Sequence, residues 1–347
     1  MPGEPRVDAE PGRNGQPQGP ADDPAGPLRP GPLPRLRAQL QLPGALRPGR
    51  GHHLRGQDRR PGPAGPRLRL GAFRPVRPED HEAQTAPGSA RGSPLVLPSP
   101  DDARFQELGP KGFCFACHPG VPCFNQCCRR LNLVLTPYDV LRLKARLGLE
   151  SGDFIERYTV VASGQNGWPL PRLAMREDAE GTCPFLADQG CGVYADRPGA
   201  CRTYPLGRAT KGGSAAGVQE EGWFLVREAH CRGFEQGPCW TPAAWTQDQG
   251  LAAYNAANDL FLPLVTRQAP AADAAQAQKK MQMFFMACYN LDQFKQFVTG
   301  SRLTRLIDLD PARLELIQSN DLQLLKFAFD WLRFSLFGEP TLSLRQA

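Results

Sequence analysis

Ten of the eleven cysteines in this 347-residue chain fall between Cys114 and Cys239, and only Cys288 lies outside that stretch. The N-terminus has no apolar run of the kind that directs secretion. Thiols at this density in a reducing compartment point to a bound soft metal rather than to disulfides. The chain is therefore expected to be cytoplasmic. The first five of the group, Cys114, Cys117, Cys123, Cys127 and Cys128, span 15 residues that also contain Pro119 and Pro122. A loop so short and irregular buries no core, and a metal cross-link would give it a fixed shape.

The spacing bears on the kind of metal. Cys114 and Cys117 alone have the two-residue gap of a structural zinc knuckle. Adjacent Cys127 and Cys128 are expected to point in different directions and to serve two ligand sets, because a tetrahedral site prefers more widely separated ligands. That leans towards an iron–sulfur cluster and leaves zinc open. The bland reading of a cysteine is a reduced thiol used as a small hydrophobe, which suits Cys288 among Met286, Ala287 and Tyr289. His118 and His230 each abut a cysteine, as ligands, as orienting donors or as solvated loop residues. Arg129, Arg130, Arg197 and Arg202 lie close to cysteines in sequence and would offset thiolate charge. Of these, Arg202 is expected to be buried and paired.

Composition divides the chain into three parts. Residues 1–100 hold 21 of the 36 prolines, 15 of the 36 glycines and 15 arginines, with no Lys, Ile, Tyr, Trp or Cys. Such a stretch cannot bury enough apolar surface to offset its ordering entropy, and it is expected to be a disordered tail. Loose phosphate contacts and polyproline recognition are two readings of it. An inert tail, or a GC-rich upstream region read in frame, is the plainer one. Residues 101–240 form the expected cysteine-cluster metal-binding domain, and residues 241–347 a C-terminal helical region. The tail carries a net charge of +6 and the rest none, so the pI near 8.8 gives no reason to expect specific nucleic-acid binding. No run of 18 uncharged apolar residues suggests a membrane span.

The pattern predicts a mainly α fold with an irregular, metal-organised Cys-rich middle and a short β-hairpin. Thr136-Pro137-Tyr138-Asp139 reads as a capped helix start and Gly148 as its stop. A second helix is expected from Ser151 through Tyr158. Phe185–Tyr194 reads as a hairpin with Cys191 just past its turn. Asp196-Arg197-Pro198 reads as a capped start for a single turn ending at Cys201. Beyond Trp245, one long helix is expected to Leu264, then Met281–Val298, a short helix from Asp310-Pro311, and Leu322–Phe337. The last is apolar on most faces, which suits a buried bundle helix better than a membrane-surface one.

Several of these residues together resemble a known family. Cys117-x5-Cys123-x3-Cys127-Cys128 is followed by Leu135-Thr-Pro-Tyr-Asp139, Cys183-Pro-Phe-Leu, Cys191-x-Val-Tyr194 and Arg197-Pro-x-x-Cys201-Arg-x-Tyr-Pro205. In this order they resemble the YkgJ-like cysteine-cluster family, described as a zinc- or iron-chelating domain. The resemblance covers about residues 113–235. It implies metal ligation by Cys117, Cys123, Cys127, Cys128, Cys183, Cys191, Cys201 and Cys231. The chain departs from the common form in spreading its leading cysteines across His118–Pro122 and in carrying Cys114 and Cys239 as additions.

No Gly-rich phosphate fingerprint and no nucleophile–base triad can be argued from the sequence. The expected function is therefore metal binding, iron–sulfur or zinc, in a structural or metal-handling role without independent catalysis. A protein partner is compatible with that role. A related cluster in flagellin lysine methylases raises the alternative of a cluster-dependent enzyme of redox or methyl-transfer type. A redox sensor would draw on Cys114 or Cys239.

Overall fold

A computed structural model describes residues 102–345, apart from Pro110, residues 212–219, Gln236 and residues 270–272. The expectation of a disordered tail over residues 1–100 lies outside the described residues. Within them the fold is mainly α-helical with short antiparallel strands.

The best-signalled element forms as its sequence dictates. Helix α1 spans Pro137–Leu147, with Thr136 and Asp139 in a reciprocal capping box and Gly148 closing it in the left-handed conformation at φ 64. Its inner face buries Tyr138, Val140 and Leu143, and also Asp139 and Lys144. Helix α2, Ser151–Tyr158, follows and seals Phe154 completely. Strands β3 (Thr159–Ser163) and β4 (Pro169–Leu173) then form an antiparallel hairpin that the sequence did not announce. Two prolines in β4 leave no alternating β-branched pattern to read.

The C-terminal helices are α4 (Pro242–Asp248), α5 (Ala252–Val265), α6 (Ala274–Tyr289), α7 (Leu291–Gly300), α8 (Leu303–Leu306), α9 (Pro311–Ser319) and α10 (Asp321–Phe337). Two expected single helices are each broken in two. Gly250, at φ 60, separates α4 from α5. Asn290 ends α6 and caps α7, accepting the Gln293 N–H. Both residues permit the local conformation that stops a helix while the apolar period continues past them. Helix α10 is the buried bundle helix expected, with Leu324, Leu325, Phe327, Ala328, Phe329, Trp331 and Leu332 inside.

One hydrophobic core joins the middle of the chain to its end. It includes Leu135, Leu143, Phe154, Trp168 and Val193 together with Leu264, Phe284, Phe294 and Leu325. Trp168 stacks on Phe284 at 4.2 Å between ring centroids and donates its indole N–H to the Arg267 carbonyl at 2.8 Å. A second, smaller core of Phe113, Phe115, Leu206, Leu225 and Trp245 lies beside a three-stranded sheet. That sheet pairs β1 (Phe105–Glu107), β8 (Glu220–Val226) and β7 (Leu206–Lys211) in the order β1-β8-β7.

Candidate metal centre

Four stretches carry the eight cysteines that the family resemblance marks as ligands. Cys117, Cys123, Cys127 and Cys128 sit on the loop after β2 (Phe113–Cys114). Cys183 precedes the expected hairpin, now β5 (Leu186–Ala187) and β6 (Gly190–Cys191), and Cys191 lies in β6 opposite Leu186. Cys201 lies in the five-residue helix α3, Gly199–Thr203. Cys231 precedes a 3-10 turn at Gly233–Glu235.

The loop is a chain of tight turns. The N–H groups of Val121, Phe124 and Gln126 reach the carbonyls of His118, Val121 and Cys123 at 2.9 Å each. Asn125, at φ 67, starts a 3-10 turn over Gln126–Cys128. The neighbouring stretches hold the loop at both ends. Cys183 N–H donates to the Cys128 carbonyl at 2.8 Å, and Arg130 N–H to Gly181 at 2.8 Å. At the other end Ala116 N–H donates to the Gly233 carbonyl at 3.0 Å, and Arg232 N–H reaches the Cys123 sulfur at 3.1 Å. A side chain on Gly233 would meet the Phe115 ring at 2.5 Å and the Ala116 carbonyl oxygen at 2.6 Å, so only glycine allows this approach.

The thiols feel one another. Partial burial, then the neighbouring thiols of Cys127, Cys123 and Cys231, push Cys117 up to about 11. Burial raises Cys231, next to which lie the Tyr204 hydroxyl and the Cys123 thiol. A hydrogen bond between adjacent thiols lowers Cys127 and raises Cys128, and Cys183 and Cys201 raise Cys128 further. Burial, then Cys183, Asp139, Cys127 and Cys191, raise Cys201. Burial also raises Cys183 and Cys191. Cys127 and Cys128 are adjacent on the 3-10 turn over Gln126–Cys128.

Among the described residues, no group of three or more His, Cys, Asp or Glu side chains stands in a geometry that holds an ion. The fit to a metal therefore lies in the chemistry of the donors. Soft sulfur donors from four stretches suit zinc or iron, and hard-ion chemistry would ask for oxygen. His118 turns its Nδ1 to the Gly120 N–H at 3.2 Å within its own loop, and His230 is exposed.

The arginines divide differently from expectation. Arg197 is the buried one, 8% exposed, with its guanidinium 3.8 Å from the Tyr194 ring centroid and hydrogen-bonded to the Tyr194 carbonyl and the Gln249 side chain. Its charge favours the thiolate of Cys191. Arg202 is half-buried and donates to the backbone carbonyls of Gln249 and Ala195. Asp196 does not cap α3, because its carboxylate pairs with Arg142 of α1. Arg129 and Arg130 are exposed and grip the turn at Ala179–Glu180.

The two additional cysteines are joined. Cys114 and Cys239 face each other across the β2–β9 pair, β9 being Cys239–Trp240, and form a disulfide. This departs from the expectation that the cysteines of this stretch serve metal rather than disulfides. Their separation of 125 residues hides the pairing from the sequence.

Thiols gathered on turns beside a helical scaffold have the donor chemistry of a zinc or iron chelator. Residues 116–232, about a third of the chain, match the family model CxxCxxCC, described as "Putative zinc- or iron-chelating domain". The metal implied by that match is zinc or iron. No curated protein and no solved structure matches the chain. No described helix is long and apolar enough to cross a membrane.

Proposed function

We propose that this protein binds zinc or iron, as ions or as an iron–sulfur cluster, in a structural or metal-handling role and through two sets of four thiols. Cys117, Cys123, Cys127 and Cys231 form one set. Cys128, Cys183, Cys191 and Cys201 form the other. The observation that carries this reading is how hydrogen bonds join the stretches: the Arg232 N–H on the Cys123 sulfur brings the Cys231 stretch to one part of the loop, and the Cys183 N–H on the Cys128 carbonyl brings the Cys183 stretch to the other. The direction of the thiol shifts agrees, Cys117 being raised by burial, then by Cys127, Cys123 and Cys231, and Cys128, beyond its neighbour Cys127 and burial, by Cys183 and Cys201. Cys127 also reaches Cys191 and Cys201, so the two sets meet at the Cys127–Cys128 pair. A bound metal would cross-link four stretches of chain that otherwise depend on a few backbone hydrogen bonds.

Arg197 stands beside the second set with a fixed positive charge and offsets the accumulated thiolate charge there.

The test is metal per chain in anaerobically purified protein, with visible absorption separating iron–sulfur from zinc. Cys127→Ser and Cys128→Ser should each remove part of the metal, and the double variant more. Cys288→Ser, in a residue with no exposed surface, should remove none. If either single variant strips all the metal from a chain that stays folded, one shared site replaces the two-set reading. Wild-type protein without zinc or iron would end the proposal.

A further inference from the structure

We infer that Asp139 is a positioning residue for the metal centre, in addition to being the cap of α1. This inference rests on the proposed role of Cys201 as a ligand. The sequence reads Asp139 as the local partner of Thr136, and the structure shows that half of the capping box: the Thr136 N–H donates to Asp139 Oδ2 at 2.8 Å. The other carboxylate oxygen looks elsewhere. Asp139 Oδ1 accepts the N–H of Gly199, 60 residues away, at 2.8 Å. Gly199 is the first residue of α3, and Cys201 is its third.

The geometry makes this bond hard to replace. Asp139 is 1% exposed, so no water can take over the Gly199 N–H. Pro198 precedes α3 and supplies no side-chain cap, and Asp196 is engaged by Arg142. The carboxylate of one helix thus serves as the cap of another. Gly199 also packs closely, since a Cβ there would lie 3.3 Å from the Tyr254 ring and 3.6 Å from Asp139 Oδ1. Helix α1 itself is fixed in the main core by Tyr138, Val140 and Leu143. The chain of support runs from core to α1, from Asp139 to Gly199, and from α3 to Cys201. Metal-site partners that orient a ligand without touching the metal typically change affinity on the order of 10–100-fold when removed.

The experiment compares variants of the full chain by metal content, visible or cobalt-substituted thiolate absorption, melting temperature, and alkylation of Cys201 by iodoacetamide followed by mass spectrometry. Asp139→Asn keeps the shape but leaves a single acceptor oxygen for the two backbone N–H groups of Thr136 and Gly199. It should reproduce the metal loss and spectral change of Cys201→Ser and speed Cys201 alkylation in metal-free protein, with Cys183 unchanged. Thr136→Ala weakens the same helix cap without touching the Gly199 bond. It should lower the melting temperature and leave metal, spectrum and Cys201 reactivity as in the wild type. If Asp139→Asn fails to fold, Gly199→Pro removes the N–H at a position where proline suits a helix start and should show the same loss, while Gly199→Ala, which adds a Cβ towards Tyr254 but keeps the N–H, should not. Wild-type metal and Cys201 reactivity in Asp139→Asn or Gly199→Pro would overturn the inference. So would parallel losses in Asp139→Asn and Thr136→Ala. Wild-type protein that binds no metal would refute the ligand reading, and Cys201 alkylation in metal-free protein would still decide the positioning role.

Discussion

At the scale of single residues, chemistry was easier to read than pairing. The neighbours of Cys288 mark it as a core thiol, and it is fully buried with its thiol held well above the ordinary value by burial alone. Which cysteines meet could not be read, because sequence distance says nothing about proximity across a strand pair. The Cys114–Cys239 disulfide makes this concrete. Cross-linking residues 125 apart restricts the unfolded chain, and loops of that length are worth up to about 5 kcal/mol. Under non-reducing conditions Cys114→Ser should lower the denaturation midpoint measurably while metal per chain changes little. Loss of metal on reduction of the wild type would instead favour a redox-sensing role for this exposed pair.

At the scale of elements, capping signals were legible and helix interruptions were not. Thr136, Asp139 and Gly148 fixed both ends of α1, and Asp310 caps α9 by accepting the Ala312 N–H at 2.8 Å. An apolar repeat runs on through Gly250 and Asn290, so periodicity alone merged four helices into two. The placement of α1 depends on a buried ion pair. Lys144 Nζ lies 3.0 Å from Asp292 of α7 and 2.9 Å from Asp321 of α10, with only 8% of the lysine side chain exposed. Burial works against its charge, but the two carboxylates outweigh it and raise Lys144 above its ordinary 10.5. Asp292 is opposed by burial too, and the Ser151 N–H and Lys144 lower it below its ordinary 3.8. The signs follow. The lysine contribution is complete below 10.5 and fades as pH rises through its higher folded value. The Asp292 contribution is complete above 3.8 and fades as pH falls through its lower folded value. Urea midpoints should therefore show this pair as constant across the neutral range. Lys144→Ala leaves Asp292 and Asp321 unpaired but 22% and 36% exposed to water, so it should cost about 1–2 kcal/mol rather than the full penalty of a buried pair, and an unchanged midpoint would show that the pair contributes nothing.

At the scale of the whole molecule, the cysteine pattern marked the stretch that matches a chelating-domain model, and mainly helical architecture followed from the C-terminal apolar period. Less legible was that both halves share one core. Leu135, Leu143 and Phe154 pack in the same cluster as Phe284, Phe294 and Leu325. Removing metal with a chelator should therefore expose residues 113–131 and 182–205 to protease while α1, α2 and the C-terminal helices survive. Circular dichroism should keep most of its helical signal. Collapse of the whole helical signal on chelation would show that the core depends on the metal.

That shared core has a consequence for how the protein lives with its metal. In a zinc finger the ion is the nucleus of the fold, so an emptied finger is an unfolded one. Here most of the apolar interior is supplied by the helices, with Cys183 inside it and Cys128 and Cys191 packed against it, and the remaining sulfur-bearing turns hang from it like fingers from a palm. Filling and emptying such a hand are decoupled from making it. If the protein binds metal as proposed, one polypeptide would be charged and discharged over many cycles, its occupancy following the free metal concentration around it.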